Sequence, residues 1–131
     1  MRQALINIGS KTYKCKITET SEEKRKGLMD VKFLAPDEGM LFEFDSNEPV
    51  TMWMKNTYIP LDQIGISEDD EVIKVYTAIP EDETLIEFPK AKYVLEVNAN
   101  SGIQEGDDFE IDDDIDLNKY TMKVIGSDGG T

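Results

Sequence analysis

Short stretches in which apolar and polar residues alternate recur along most of the chain, and turn-forming residues separate them. Because successive side chains of a β-strand point to opposite faces, this period of two is typical of strands that bury one face. Strands this short and this regularly spaced favour a mainly β fold, a compact antiparallel β-barrel or sandwich. The predicted strands span residues 3–8, 12–19, 40–44, 50–55, 61–67, 72–79, 84–88, 93–99, 107–111 and 120–125.

One segment carries helix signals instead. Thr20 is followed three residues later by Glu23, the capping-box pair that satisfies free backbone amides at a helix start. A small α-helix is therefore predicted near residues 20–29, although it includes Gly27. The predicted loops between later strands are residues 35–39, 45–49 and 68–71.

The length and charge of the chain limit its domains and partners. It has 131 residues and a formal net charge of -14, from 14 basic and 28 acidic side chains. A chain of this length buries roughly two-thirds of its surface on folding, which suffices for one hydrophobic core. Binding to a phosphate backbone depends on clustered Lys and Arg, so the charge argues against nucleic acid as a partner. It argues equally against an anionic membrane surface.

The sequence also bears on location. It shows no basic start followed by an apolar run, the pattern of a signal peptide. No window approaches the ~18 consecutive apolar residues of a membrane span. We therefore expect a cytoplasmic protein, or one inside a virion. The single cysteine, Cys15, excludes an internal disulfide and is expected to face the core.

Acidic residues are concentrated towards the C-terminus. Residues 101–131 contain nine acidic side chains against two lysines, a net charge of -7. We divide the chain into a β-barrel-like domain, residues 1–111, and an acidic C-terminal extension, residues 112–131. The extension is expected to pack as a strand or to dock on a partner protein with a basic surface. The candidate docking residues are Asp112, Asp113, Asp114, Asp116 and Tyr120.

Most catalytic chemistry is excluded by composition. The chain has no histidine, which removes Ser-His and Cys-His nucleophiles and His-ligated zinc. It also lacks phosphate-binding glycine loops. The spacing of Asp112, Asp114 and Asp116 imitates a calcium loop, but Leu117 and Lys123 replace its required Gly and Glu. We predict no metal and no cofactor.

Paired carboxylates are the one acid and base arrangement that the sequence leaves open. Asp62 with Glu43, or Asp62 with Glu96, could act together if the fold brought them close in a concave site. Strands routinely carry outward-facing carboxylates, so the favoured prediction is a protein that is not an enzyme.

Four motifs in order resemble one known family. They are KRKGLM at 24–29, DEGMLFEF at 37–44, WMKNTYIPLD at 53–62 and YVLEV at 93–97. With them the chain resembles the domain of unknown function 192 family over about Thr12 to Glu110. The resemblance implies a compact, mainly β, barrel-like domain with a short helix after the second strand. It implies no activity, because the family has none established. Many members are exported or lipid-anchored in bacteria, whereas we expect no such leader in this chain.

The third motif has two interpretations. In the structural one, Trp53 and the methionines fill the barrel, Asn56 and Thr57 satisfy backbone groups in a turn, and Asp62 accepts main-chain amides. In the functional one, Trp53 is the flat wall of a ligand pocket into which Lys55, Asn56, Thr57 and Asp62 converge. Exposure of Trp53 distinguishes the two.

Three hypotheses about function follow. The leading one is a non-enzymatic binding or assembly module, such as an accessory structural protein of a virion or another large complex. The alternative is a small-molecule or glycan-binding protein with its pocket at residues 53–62. The third is an enzyme that uses Asp62 and Glu96.

Overall fold

A computed structural model of the chain describes residues 1–113. Their seven strands form one sheet in the order β5-β4-β6-β3-β2-β1-β7, in which only β2 and β3 pair in parallel. The mainly β prediction with one small helix is confirmed. The elements are β1 Arg2–Ile8, β2 Lys11–Thr18, α1 Ser21–Lys26, β3 Glu38–Met52, β4 Leu61–Ile66, β5 Val72–Ala78, β6 Ile86–Asn98 and β7 Phe109–Asp112.

The sheet curls towards a barrel without closing. Its two edges, β5 and β7, approach one another where Glu71 and Asp108 form an isolated antiparallel bridge. Val72 N donates to Asp107 O at 2.9 Å, and Gly106 N donates to Val72 O at 2.8 Å. These few bonds hold the edges together although no continuous ladder joins them.

The crossover between β2 and β3 places the helix. Parallel neighbours need a connection that returns the chain to the same end of the sheet. Thr20 Oγ1 accepts from Glu23 N at 3.1 Å, and Glu23 Oε1 accepts from Thr20 N at 3.0 Å, so the predicted capping box is present. The helix ends at Lys26, earlier than predicted, because Gly27 adopts a positive φ of 47°.

Apolar side chains are buried on both faces of the sheet. Successive residues of β3 alternate between two clusters, with Leu41 in the first and its neighbours Met40 and Phe42 in the second. The first, inside the curled sheet, contains Ala4, Ile6, Ile8, Tyr13, Cys15, Ile17, Leu41, Ile64, Ile66, Val72, Leu95, Val97, Ile103 and Phe109. The second, under the crossover, contains Leu28, Met40, Phe42, Val50, Met54, Leu61, Ala78, Phe88, Ala91 and Val94.

The position of Cys15 agrees with its expected place in the core. It is 2 % exposed, and burial raises the pKa of its thiol to about 12. A thiol in this position is protonated at neutral pH and is a poor nucleophile.

Two long strands replace four predicted short ones. Residues 40–44 and 50–55 were predicted as separate strands, yet β3 is continuous from Glu38 to Met52 and so includes the predicted loop 45–49. Likewise β6 joins the predicted strands at 84–88 and 93–99. The β3–β6 register shifts between Glu43 and Val50, and these irregular pairs tolerate Pro49 and Pro89. Predicted strand 120–125 lies outside the described residues.

A substitution at Gly65 tests the packing of the second cluster. A Cβ at this position in β4 would lie 2.4 Å from Phe88 Cδ1, inside the packed cluster. We expect Gly65→Ala to lower the free energy of unfolding by about 1–3 kcal/mol in urea denaturation, because overpacking forces the neighbours to move. The double variant Gly65→Ala/Phe88→Leu should recover part of the loss. A Gly65→Ala protein as stable as the parent would contradict this packing.

Candidate functional site

A cavity of about 220 Å³ lies between the crossover and the second face of the sheet. We call it the Glu96 cavity. It combines apolar walls with a few polar groups, as small-ligand sites do. Its lining residues are Lys24, Arg25, Lys26, Gly27, Leu28, Met29, Phe42, Thr51, Met52, Trp53, Thr57 and Glu96.

All four sequence motifs contribute to this cavity. The first motif lines it with residues 24–29, the second with Phe42, the third with Trp53 and Thr57, and the fourth with Glu96. These segments are far apart in the sequence and meet here through the crossover and the β3–β6 pairing. The cavity is thus the place in the described structure where the four motifs converge.

Glu96 is the buried polar group of the cavity. It lies in β6 opposite Gln63 of β4 and Met40 of β3, and its side chain is on the face of the second cluster. Gln63 Nε2 donates to Glu96 Oε2 at 2.8 Å. Burial raises the pKa of Glu96 to about 7, while the hydrogen bond from Gln63 acts in the opposite direction. Near neutral pH this carboxyl can therefore either donate or accept a hydrogen bond.

Gln63 supports Glu96 from a fully buried position. Its Nε2 also lies 3.6 Å from Met54 Sδ. Within residues 1–113, its Oε1 has no hydrogen-bond partner, which costs stability in an apolar environment. Gln63 and Glu96 thus form a polar pair inside an otherwise apolar cluster.

Trp53 is a partly exposed wall of the cavity. Its side chain is 39 % exposed, so the interpretation in which it fills the barrel does not describe it. Met54, the next residue, is fully buried and does fill the core. Lys55 Nζ lies 5.2 Å from the centre of the Trp53 ring, in a cation–π contact.

The turn after Trp53 is held by backbone contacts. Thr57 N donates to Met54 O at 3.1 Å, and Thr57 Oγ1 donates to Lys55 O at 3.2 Å. Asn56 has a positive φ of 54°, and its carbonyl accepts from Asp30 N at 2.9 Å. Of the polar candidates in this turn, Thr57 lines the cavity, whereas Lys55 and Asn56 do not.

Asp62 lies on the opposite face of the sheet from Glu96. It pairs with Val97, a member of the first cluster, and is 3 % exposed. Its carboxylate accepts from Ser101 N at 2.9 Å, Ser101 Oγ at 2.6 Å and Thr77 Oγ1 at 2.8 Å. Asp62 therefore holds the loop after β6 and is not part of the cavity.

Neither suggested carboxylate pair is brought together. Asp62 and Glu96 are on opposite faces of the sheet. Glu43 pairs with Tyr93, four residues along β6 from Val97, the partner of Asp62, and lies 3.5 Å from Arg2 Nη2. Such positions do not allow two carboxylates to share one substrate.

The start of the acidic extension is attached to the domain. Asp112 is the last residue of β7, where it pairs with Leu5 of β1. Asp113 Oδ1 lies 3.4 Å from Arg2 Nε. The other docking candidates, Asp114, Asp116 and Tyr120, lie outside the described residues.

Exposed apolar side chains are grouped on three loops beside the cavity. Asp30 N is bonded to Asn56 O, and Met54 N donates to Asp82 O at 3.0 Å, so the loops around residues 30, 55 and 82 contact each other. We call this the loop surface. Its exposed apolar members are Phe33, Trp53, Tyr58, Ile79 and Leu85.

A second, larger groove of about 970 Å³ lies on the other side of the crossover. It shares the wall formed by residues 26–29 with the Glu96 cavity, and its other walls come from β2 and the start of β3. Three lysines and four carboxylates are among its lining residues, which include none of the pocket residues predicted from the third motif.

Within residues 1–113 there is no group of three or more Cys, Asp or Glu side chains placed to hold a metal ion. In the same part of the chain, no helix is long and apolar enough to cross a membrane.

Sequence reasoning missed most of this cavity. It considered Glu96 only as a partner of Asp62, and it overlooked Gln63 and the basic residues of α1. A signal was present, because Glu96 interrupts the apolar run Val94, Leu95 and Val97, which indicates a carboxyl on a buried strand.

Comparison with known proteins gives a family and two similar structures. Residues 4–111 match the family DUF192, described as "Uncharacterized ACR". A "putative transcription regulator" from Sinorhizobium meliloti 1021 is 32% identical, with a TM-score of 0.80 over 83% of this chain and 93% of that one. A protein of unknown function from Novosphingobium aromaticivorans DSM 12444 is 33% identical, with a TM-score of 0.78 over 82% and 84%. No curated protein matches the sequence.

The raised pKa of Glu96 makes a prediction about stability. An unfolded Glu has a pKa of 4.5 and the folded one about 7, so the folded state binds more protons between these values. The stabilisation of the fold by proton binding to Glu96 is therefore fully present below pH 4.5. It is lost as pH rises through 7, by about 3 kcal/mol in total. Glu96→Gln cannot titrate, so its stability should fall less over this range. Urea denaturation of both proteins from pH 4.5 to 8.5 measures the difference, and parallel curves would contradict the buried position of Glu96.

Proposed function

The chain belongs to the uncharacterised family DUF192, and from that premise we propose that it is a binding protein that holds a small ligand in the Glu96 cavity. The observation that carries this proposal is the convergence of all four motif segments on one cavity. Packing alone would not require four separate motifs to meet around a space that side chains leave open.

The cavity offers the parts of a ligand site. Trp53 and Phe42 supply flat apolar walls, and Glu96 and Thr57 supply convergent polar groups. A buried carboxyl with one hydrogen bond destabilises the domain, so its presence is better explained by a role in binding.

The volume limits the ligand. About 220 Å³ is below the roughly 300–1,000 Å³ of sites for drug-sized molecules. It corresponds to roughly seven water molecules of liquid volume. The expected ligand is therefore the size of one sugar ring or a small organic acid.

A blocking variant tests the ligand-binding proposal. Thr51 is an exposed residue of β3 on the cavity lining, so Thr51→Phe should obstruct the cavity without unfolding the domain. A bound ligand stabilises only the native state, by about 2.7 kcal/mol at a concentration of 100 Kd. Thermal shift with a panel of sugars, organic acids and amines should identify stabilising compounds. Their effect should be lost in Thr51→Phe and kept in the matched control Thr12→Phe, at an exposed strand residue that lines neither the Glu96 cavity nor the larger groove.

The fluorescence of Trp53, the single tryptophan of the chain, provides a second readout of binding. A stabilising compound should also change Trp53 fluorescence, because the ring lines the cavity. Compounds that stabilise Thr51→Phe as much as the parent would place binding elsewhere and contradict the proposal.

The loop surface favours a second function, docking in a protein assembly. We propose that its partner is a protein surface with an apolar centre and a basic rim. Ile79 and Leu85 are 67% and 59% exposed, and Glu81, Asp82 and Glu83 lie between them. Exposed apolar groups bordered by polar residues mark interaction sites, and the acidic residues beside Ile79 and Leu85 favour a basic partner there. The high negative charge of the chain opposes pairing of two copies at this surface.

The acidic extension, residues 112–131, belongs to this second proposal. Its start is held by Asp112 in β7 and by the ion pair of Asp113 with Arg2, beside the domain. Additional carboxylates would increase attraction to the same basic partner, within a virion or another large complex.

A model peptide tests the docking proposal. An amphipathic Leu/Lys peptide should bind the full chain with an affinity that falls as salt rises, while a Leu/Glu peptide should not bind. Ile79→Ser/Leu85→Ser should weaken this binding at least tenfold. The control Gln3→Ser/Thr12→Ser, at two exposed residues outside the loop surface, should not. Comparing residues 1–113 with the full chain measures the part played by the extension. Equal binding of the Ile79→Ser/Leu85→Ser variant would contradict docking at the loop surface.

A further inference from the structure

The charges around the Glu96 cavity bear on the class of its ligand. Resting on the proposed binding function, we infer that the cavity takes a small organic anion, with its negative group at the basic residues of α1 and its apolar body against Trp53.

Three consecutive cations, Lys24, Arg25 and Lys26, form one side of the cavity. Glu96 is the single acidic residue among the lining residues, so the lining carries three positive charges and at most one negative charge. This local excess is opposite in sign to the chain as a whole, whose formal net charge is -14. A ligand that entered from solution would therefore meet a positive rim.

These cations are not neutralised by neighbouring carboxylates. Within residues 1–113, the ion pairs shorter than 4 Å involve the N-terminus and Arg2, and none involves the three basic residues of the rim. Glu23, on the same helix, is used by the capping box and accepts from the backbone of Glu19 and Thr20. Lys24 lies 5.9 Å from the centre of the Phe44 ring, a contact that leaves its charge in place.

The apolar wall of the cavity would contact the body of the ligand. Trp53 and Met52 line the cavity from the end of β3, and Phe42 lines it from the middle of the same strand. An aromatic or aliphatic body would pack on these side chains, whereas an inorganic anion would leave them without contact. The two walls together favour an amphipathic acid over a bare ion.

Glu96 should make the affinity of the cavity for an anion depend on pH. Its neighbours are the neutral amide of Gln63 on β4, Met40 on β3 and Met54 of the turn, and the other polar or charged residues of the cavity lining are Thr51, Thr57 and the three cations of α1. With a pKa of about 7, Glu96 changes its charge between pH 6 and pH 8.

The direction of this pH dependence follows from repulsion between like charges. An anion next to Glu96 favours the protonated carboxyl, which can donate a hydrogen bond to it, and disfavours the carboxylate. Since the pKa of Glu96 is about 7, the affinity for an anion should fall from pH 6 to pH 8, by up to about tenfold when the carboxylate form of Glu96 excludes the anion. A neutral ligand that donates to the carboxylate, or a cation, would show the reverse slope.

A series of compounds with one shape and different charges tests the inference on the full chain. The probes are benzoate, benzamide and benzylamine, with phenyl phosphate as the second anion source and glucose as a neutral sugar. We expect benzoate or phenyl phosphate to have the lowest Kd by calorimetry, and that Kd to rise from pH 6 to pH 8, by up to about tenfold. The relative affinity of the two anions identifies the preferred negative group.

Two sets of variants connect the result to the rim and to Glu96. Lys24→Gln/Lys26→Gln should weaken anion binding at least tenfold, whereas Lys11→Gln/Lys90→Gln, with the same change in net charge but away from both cavities, should not. Glu96→Gln should bind the anion with nearly equal Kd at pH 6 and pH 8. Urea denaturation at both pH values checks that each variant is folded.

Different failures have different meanings. If benzamide, benzylamine or glucose binds better than either anion, or if the two lysine double variants behave alike, the anion inference is overturned and the proposed binding function stands. If no probe in the series binds and no compound of the broader thermal-shift panel stabilises the parent, both are overturned.

Discussion

The pairing of β3 with β6 is the interaction on which the rest of the molecule depends. These two longest strands lie at the centre of the sheet, between β4 and β2. Their first face closes the core inside the curled sheet, and their second face is covered by the crossover that carries α1. Because the crossover does not fill all the space above β3 and β6, the cavity forms there. The same pairing places Glu96 at the cavity and Trp53 at its edge.

Local sequence signals predicted the elements better than their extent. Alternation placed the strands, and the capping box placed the start of α1 at Thr20. Gly27 ended the helix early because it adopts a positive φ of 47°, and a Cβ at this position would lie 2.9 Å from Phe42 Cζ on the neighbouring β3. The predicted loop 45–49 contains Pro49, and Pro89 lies between the predicted strands 84–88 and 93–99. Both β3 and β6 continue through these prolines, since irregular pairing between the two strands tolerates residues that cannot donate a hydrogen bond. Such outcomes depend on tertiary pairing, which no local pattern contains.

Tertiary pairing also explains why only part of the site was predicted from the sequence. Trp53 and Thr57 were identified from their motif and line the cavity, but Asp62, from the same motif, faces the other side of the sheet. A shift of one residue along a strand moves the side chain to the other face of the sheet. The register between β4 and β6 then determines which residue of β6 lies opposite it. Asp62 therefore pairs with Val97 and holds a loop, while the next residue, Gln63, faces Glu96. The basic residues of α1 join the site only because the crossover brings the helix over β3.

The energetics of the cavity depend on a carboxyl that burial has made hard to ionise. A Glu held by one amide in an apolar cluster lowers stability at neutral pH, and the proposed ligand-binding function depends on this buried position of Glu96. The most direct measurement is the pKa of Glu96, from an NMR titration of the full chain labelled with ¹³C at the glutamate carboxyl carbons, with Glu96→Gln used to assign the signal. The structure predicts a pKa of about 7. A value near the ordinary 4.5 would show that Glu96 is exposed to water and would contradict the account of the cavity.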